Sequence, residues 1–303
     1  MYFSRLGVGL VASMLVACSG GHAFKKGHVE ATGGDDAQLA AAVATGDGHW
    51  SNREDRKQLE MAIAAYEEVA AKSENVAALT KLACAYYFMG DSFARFDGDG
   101  SSMFEWFEKG MKTAERALFY GSEAFKAKMK ETNGSIEKSI GVIGMPSLPA
   151  AYWFASSLGK WAKGKGFAVV LGKKGTIEAV MKRCEALDPK GDFYHGGVLR
   201  YWAAFYSIAP GFAGGDLVKA RSYFEKAIAK APYNMATKVL WAENLSVKED
   251  KEDEFKTLLK EVLDFDVQAF RTDNPEAGAD LGAELIQEKE KARRILAKAE
   301  DLF

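Results

Sequence analysis

An all-α fold is the class this sequence predicts, and three observations predict it. Apolar residues recur every three to four positions along most of the chain, as in helices that bury one face. Only six prolines interrupt 303 residues, and runs of β-branched residues are few, so little opposes helix and little favours sheet. A spacing also repeats. Ile177, Met181, Cys184 and Pro189 stand four, three and five apart, and Ala220, Phe224, Ala227 and Pro232 repeat those intervals 43 residues later.

The repeated intervals are those of the second-helix half of a tetratricopeptide unit. A small residue gives close helix contact, a larger one follows four on, then another small residue, then a proline that stops the helix. Units of this type stack into a continuous core, so the expected architecture is tetratricopeptide-like helical hairpins in a compact superhelical domain.

In chain order, Ser51 and Glu54 have capping-box spacing ahead of a helix marked by Leu59, Ile63, Tyr66 and Val69. A second helix is expected from about Asn75, with Leu79, Leu82, Ala83 and Tyr86 on one face. Asp91 to Ser102 reads as a loop, and Phe104, Phe107, Met111, Ala114 and Leu118 mark a third helix. Pro149 suits the first turn of a helix carrying Trp153 and Trp161. Lys160, Lys163 and Lys165, with their glycines, read as a basic loop, and Phe167 to Leu171 as a short apolar turn or helix. Regular helix is expected again from Thr176. Tyr194 and Tyr201 are seven apart, as large residues on a first repeat helix would be. Trp241 and the Phe255 to Phe265 stripe belong to later helices. A last helix from Pro275 carries a charged stretch, Glu288 to Arg294, read as a solvent face, and closes with Ile295, Ala299 and Leu302.

The N-terminus carries an address. After Arg5, Leu6 to Ala17 holds no charge, the length and polarity of a signal-peptide core and too short to span a bilayer permanently. Leu15-Val16-Ala17-Cys18 resembles a bacterial lipobox, which implies that Cys18 is lipidated and anchors the chain to a membrane. The expected division is 1–17 signal peptide, 18–34 lipidated cysteine and flexible tether, and 35–303 a single helical domain. Lys and Arg number 40 against 42 Asp and Glu, a balance that argues against a nucleic-acid partner. Cys84 and Cys184 read as buried thiols, with one disulfide as the alternative in an exported protein.

Catalytic chemistry finds little material. No histidine pair has zinc-site spacing, and no nucleophile elbow or phosphate-binding glycine loop is present. His195, expected at a helix start, reads as a capping group, with a ligand contact as the alternative. Asp97, Asp99, Ser101, Glu105 and Glu108 have calcium-loop spacing, but Ser102 stands where that loop needs glycine. No enzyme, metal or cofactor is therefore expected. Aromatic placement says more: Trp153, Trp161, Tyr194, Tyr201, Trp202 and Phe205 concentrate around the glycine-rich middle, with rings on two adjacent faces of one helix. Either both faces pack in a helix stack, or one lines a cavity for a ligand.

The block from Asp192 to Ala204 (DFYHGGVLRYWAA), running on to Pro210 to Ile228 (PGFAGGDLVKARSYFEKAI), resembles the T component of tripartite ATP-independent periplasmic (TRAP) transporters, the TatT family. The Leu148 to Ala155 stretch and the lipobox extend the resemblance. It implies a lipid-anchored periplasmic protein that binds the substrate-binding P component and forms trimers. It also implies an apolar channel through each protomer, bordered by the Trp153 and Tyr201 helices and open to a hydrophobic small molecule. Ser19 after Cys18 implies retention at the outer membrane. The rival reading is an envelope scaffold that binds proteins and no small molecule.

Overall fold

The computed structural model describes residues 35–303; the leader, Cys18 and the tether lie outside the described residues. Among the described residues every regular element is helical. The chain begins with α1 (Asp36–Trp50), α2 (Arg56–Lys72) and α3 (Val76–Phe88). Asp55, not Ser51, caps α2: its carboxylate accepts from the backbone N–H groups of Lys57 and Gln58, and Ser51 to Asp55 is a turn. A carboxylate one residue before the helix meets the free N–H groups and the positive end of the dipole together. Asn75 caps α3 through the N–H of Ala78.

The stretch expected as a loop after α3 is partly helical. Met89–Phe93 is a π-helical turn and Ala94–Phe96 a 3₁₀ turn. A π turn widens the helix and redirects side chains, and this one moves Asp91 inward. Asp97, the first residue of the calcium-like loop, is held by the guanidinium of Arg56 at 2.9 and 2.7 Å.

Then come α4 (Met103–Gly121), α5 (Glu123–Glu131) and α6 (Ile136–Ser139), followed by α7 (Leu148–Lys165) and α8 (Phe167–Leu187). Lys160, Lys163 and Lys165 therefore lie on α7, not in a loop. Gly164 is tolerated in its last turn because the Phe104 ring occupies the space a Cβ would need, 2.1 Å from its ideal position. The break comes at Gly166, whose φ of 98° no other residue adopts readily. Helix resumes at Phe167, nine residues earlier than the expected Thr176.

The remainder comprises α9 (Gly197–Ile208), α10 (Leu217–Lys230), α11 (Ala236–Leu240), α12 (Glu252–Asp264), α13 (Val267–Asp273), α14 (Pro275–Leu296) and α15 (Ala299–Leu302). A second π turn, Trp241–Ser246, continues α11. Consecutive helices pack side by side, α1 on α2, α3 on α4, α7 on α8 and α9 on α10, with α4 also against α7. One core joins α2, α3, α4, α7, α8 and α9; a second joins α11 to α15. Ile177, Met181, Cys184, Ala220, Phe224 and Ala227 are all buried.

Two readings need correction. Tyr194 precedes α9 and is not helical; with His195 and Gly196 it forms three successive left-handed residues. The charged stretch of α14 is not wholly a solvent face either. Lys291 is 3% exposed and Glu288 is buried beside it, because α14 is sandwiched between the second core and the π turn of Met89–Phe93.

Candidate functional site

A cavity of about 490 Å³ opens between the two cores, within the roughly 300–1,000 Å³ range of small-molecule sites. Its walls come from α3, the Met89–Phe93 turn, α7, α8, α9, the Trp241–Ser246 turn and α14. Four of the six aromatic residues singled out from the sequence line it: Trp153, Tyr194, Tyr201 and Phe205. Trp161 and Trp202 do not. Trp161 donates its indole N–H to Glu108 of α4 at 3.2 Å, and Trp202 stacks on Tyr206 at 5.7 Å between ring centres.

The aromatic wall is locked by ring contacts. Trp153 meets Tyr87 at 5.3 Å, and both Tyr152 and Tyr194 at 5.0 Å. The contacts with Tyr152 and Tyr194 are edge-to-face and hold ring orientation beyond what burial alone gives. Burial pushes the phenols of Tyr87, Tyr194 and Tyr201 well above their ordinary range, so they stay neutral.

Tyr194 reaches the wall by strained backbone. Its φ is 47° and that of His195 is 50°, conformations that cost a non-glycine residue about 1–2 kcal/mol each. The surroundings hold them in place. Arg200 donates to the His195 carbonyl at 2.6 Å and to the Tyr194 carbonyl at 3.2 Å. Asn234 donates to the same His195 carbonyl, and His195 Nδ1 lies 3.0 Å from the Tyr233 hydroxyl. The Tyr194 hydroxyl donates to Glu284 at 3.0 Å, and Glu284 pairs with the buried Arg53 at 2.6 Å. His195 thus braces the loop and does not cap α9, whose N-cap is Gly196; it is not on the cavity wall.

Both π turns bring charge to the same wall. Asp91 accepts from Lys160 at 2.8 Å and from Lys291. Lys291 also donates to Glu288 at 2.7 Å. Arg95 donates to Glu243 of the second π turn at 2.9 Å. Burial would raise the Asp91 pKa, but the Lys160 and Lys291 ammonium groups outweigh it and hold the carboxyl well below its usual range. Burial likewise opposes ionisation of Glu243, and Arg95 and Lys160 overcome it. Sequence periodicity could not find this cluster, since its members lie up to 200 positions apart.

On this wall the carboxylates Asp91, Glu243 and Glu288 are committed to cations. Cys84 also lines it, as a free thiol, and Cys184 is free and buried.

Residues 103–303 match the family model of the TRAP transporter T-component. The chain belongs to that family. No curated protein matches the sequence. As a TRAP transporter T-component the chain is an accessory protein of transport and not an enzyme. The family match spans α4 to α15 and contains all six aromatic residues. The α3 and π-turn part of the cavity wall, including Asp91 and Arg95, precedes it. No helix among the described residues of this T-component is long and apolar enough to cross a membrane.

Proposed function

We propose that this T-component acts on the periplasmic side, held by lipid on Cys18 to the outer membrane, where it binds a TRAP P component and passes a small hydrophobic molecule through the cavity. The single observation that carries the ligand half of this reading is the cavity itself: about 490 Å³ lined in part by Trp153, Tyr194, Tyr201 and Phe205. Packing needs alone do not leave a void of that size in a protein interior. The apolar wall supplies the driving force for a hydrophobic guest and the phenols supply orientation.

Partner binding is supported by surface chemistry as well as by family. Phe212, in the segment joining α9 to α10, is 79% exposed, and Val218, in the first turn of α10, is also exposed. Apolar groups displayed this openly on an otherwise charged surface suit a protein contact. The tetratricopeptide-like reading rests on the buried small and large residues of the two matching intervals on α8 and α10. A lipid-bearing 18–34 segment ahead of a single 35–303 domain would let the protein reach a diffusible partner, and a trimer would set three cavities side by side.

The experiment uses the purified T-component and the P component encoded beside the two-part permease. Saturable binding between them by calorimetry, with a small molecule recovered from the T-component by solvent extraction and mass spectrometry, is the expected result. Binding to assembly factors in place of the P component, with nothing extracted, would favour the scaffold reading.

A further inference from the structure

The cations of the cavity wall are unequally answered. Arg95 has Glu243 at 2.9 Å, Lys160 has Asp91 at 2.8 Å, and Lys291 has both Asp91 and Glu288. Lys174 holds Glu178 at 2.5 Å, and Arg200 donates to two backbone carbonyls. Lys163 also lines the cavity, yet among the described residues no carboxylate pairs with it. Glu243, whose charge acts on it, is already taken by Arg95.

Position makes the unanswered charge informative. Lys163 is at the end of α7 where solvent reaches it, so it marks the rim. Phe167, Leu171 and Ile208 line the same cavity and are exposed as well. Desolvation at the rim and the neighbouring Lys160 charge lower the Lys163 pKa, as expected of a cation that lacks a counter-charge. Farther in, Arg95, Lys160 and Lys291 balance Asp91, Glu243 and Glu288 within hydrogen-bonded pairs. Opening those pairs for a polar head would leave buried groups without partners. Lys163 can accept an anion without breaking any pair.

We propose that the cavity takes an anionic amphiphile, one acidic head on an apolar chain, with the head at Lys163 and the chain against Trp153, Tyr201 and Phe205. The proposal rests on the reading of the cavity as a ligand site and assigns the chemical class of the ligand. A neutral head would leave Lys163 unanswered, and a cationic one would add to the repulsion from Lys160. An acid on an apolar chain matches both the rim and the wall.

The test titrates the purified full chain with dodecanoate, dodecyl phosphate and dodecanol by calorimetry, and repeats it with Lys163→Gln and Lys163→Arg. The two anions should bind about tenfold or more tightly than the alcohol, the difference a charge-assisted hydrogen bond supplies. Lys163→Gln should remove that advantage and leave dodecanol unchanged, while Lys163→Arg retains it. Tighter binding of dodecanoate assigns a free carboxylic acid, and tighter binding of dodecyl phosphate assigns a lipid-type phosphate; both keep the anionic head. Equal binding of dodecanol and the anions, or no effect of Lys163→Gln, overturns the head site while the cavity reading stands. Failure of all three compounds to bind overturns both.

Discussion

The Lys160 ammonium lies 2.8 Å from a carboxylate oxygen of Asp91, joining the aromatic helix α7 to the π turn that ends α3. Lys291 of α14 takes the other oxygen of the same carboxylate. One acid thereby connects three elements that wall the cavity. Its side chain is mostly buried, so the contacts act in a medium that screens them poorly.

Removing one partner should expose the cost of that burial. Lys291→Met leaves Glu288 without its ammonium and Asp91 with Lys160 and, at 3.9 Å, Arg95. Breaking a buried pair in this way is expected to lower unfolding stability by about 3 kcal/mol. Urea denaturation of the variant measures it. A loss below about 0.5 kcal/mol would mean that the cluster behaves like a surface ion pair.

The same cluster sets an acid limit. Asp91 and Glu243 both titrate lower in the folded protein than their ordinary values of about 3.9 and 4.3. Between the unfolded and folded values the unfolded chain binds more protons, so stability there rises with pH. Their contribution is complete above the ordinary values and is lost as pH falls through the depressed ones. Urea midpoints taken from about pH 6 down to pH 3 should drop steeply in the native chain and less steeply in Asp91→Asn.

Two glycines should respond in opposite directions. Gly196 has a φ of 80°, and a Cβ there meets nothing closer than 3.6 Å. Gly196→Ala therefore carries backbone strain alone, about 1–2 kcal/mol of destabilisation, and loosens the loop that aims Tyr194. Gly172 lies inside α8 with open space around it, so Gly172→Ala should stabilise by about 0.5–1 kcal/mol. Thermal melts of the pair distinguish them.

Thiol reactivity reads the cavity directly. Cys184 is fully buried and its pKa is pushed up to about 12 by burial, so it should react with a disulfide reagent only on unfolding. Cys84 is half-buried on the cavity wall, and burial raises its pKa as well. It should react slowly in the free protein and more slowly still with dodecanoate bound, measured by the absorbance of the released thiol.

Helix-level organisation was legible because one-sided burial imposes a three-to-four residue period, as along Leu59, Ile63, Tyr66 and Val69. The start of α3 at Asn75 was legible, but the cap of α2 was not, since Asp55 and not Ser51 meets its free N–H groups. Less visible was anything set by contact between distant segments. The glycines after Lys163 look like loop residues until Phe104 is found filling the space beside Gly164. Asp91 reads as a loop acid until a π turn points it at Lys160. Charges on α14 follow a surface pattern, and only the helix packed over Lys291 shows otherwise. At the cavity the aromatic concentration pointed to the right region, but which ring faces inward depends on neighbours. Trp153 and Trp202 each follow a tyrosine and are both buried, yet only Trp153 lines the cavity. The three left-handed residues at Tyr194 had one sequence signal, the Gly196-Gly197 pair.

We propose that the aromatic cavity of this T-component is where a ligand sits. Tryptophan fluorescence during titration with dodecanoate brominated at the chain end tests it most directly, since bromine quenches only an indole it approaches. Saturable quenching is expected in the native chain, largely lost in Trp153→Phe, which removes the cavity-lining indole, and retained in Trp202→Phe. Absence of quenching, or equal quenching in Trp153→Phe and the native chain, would contradict it.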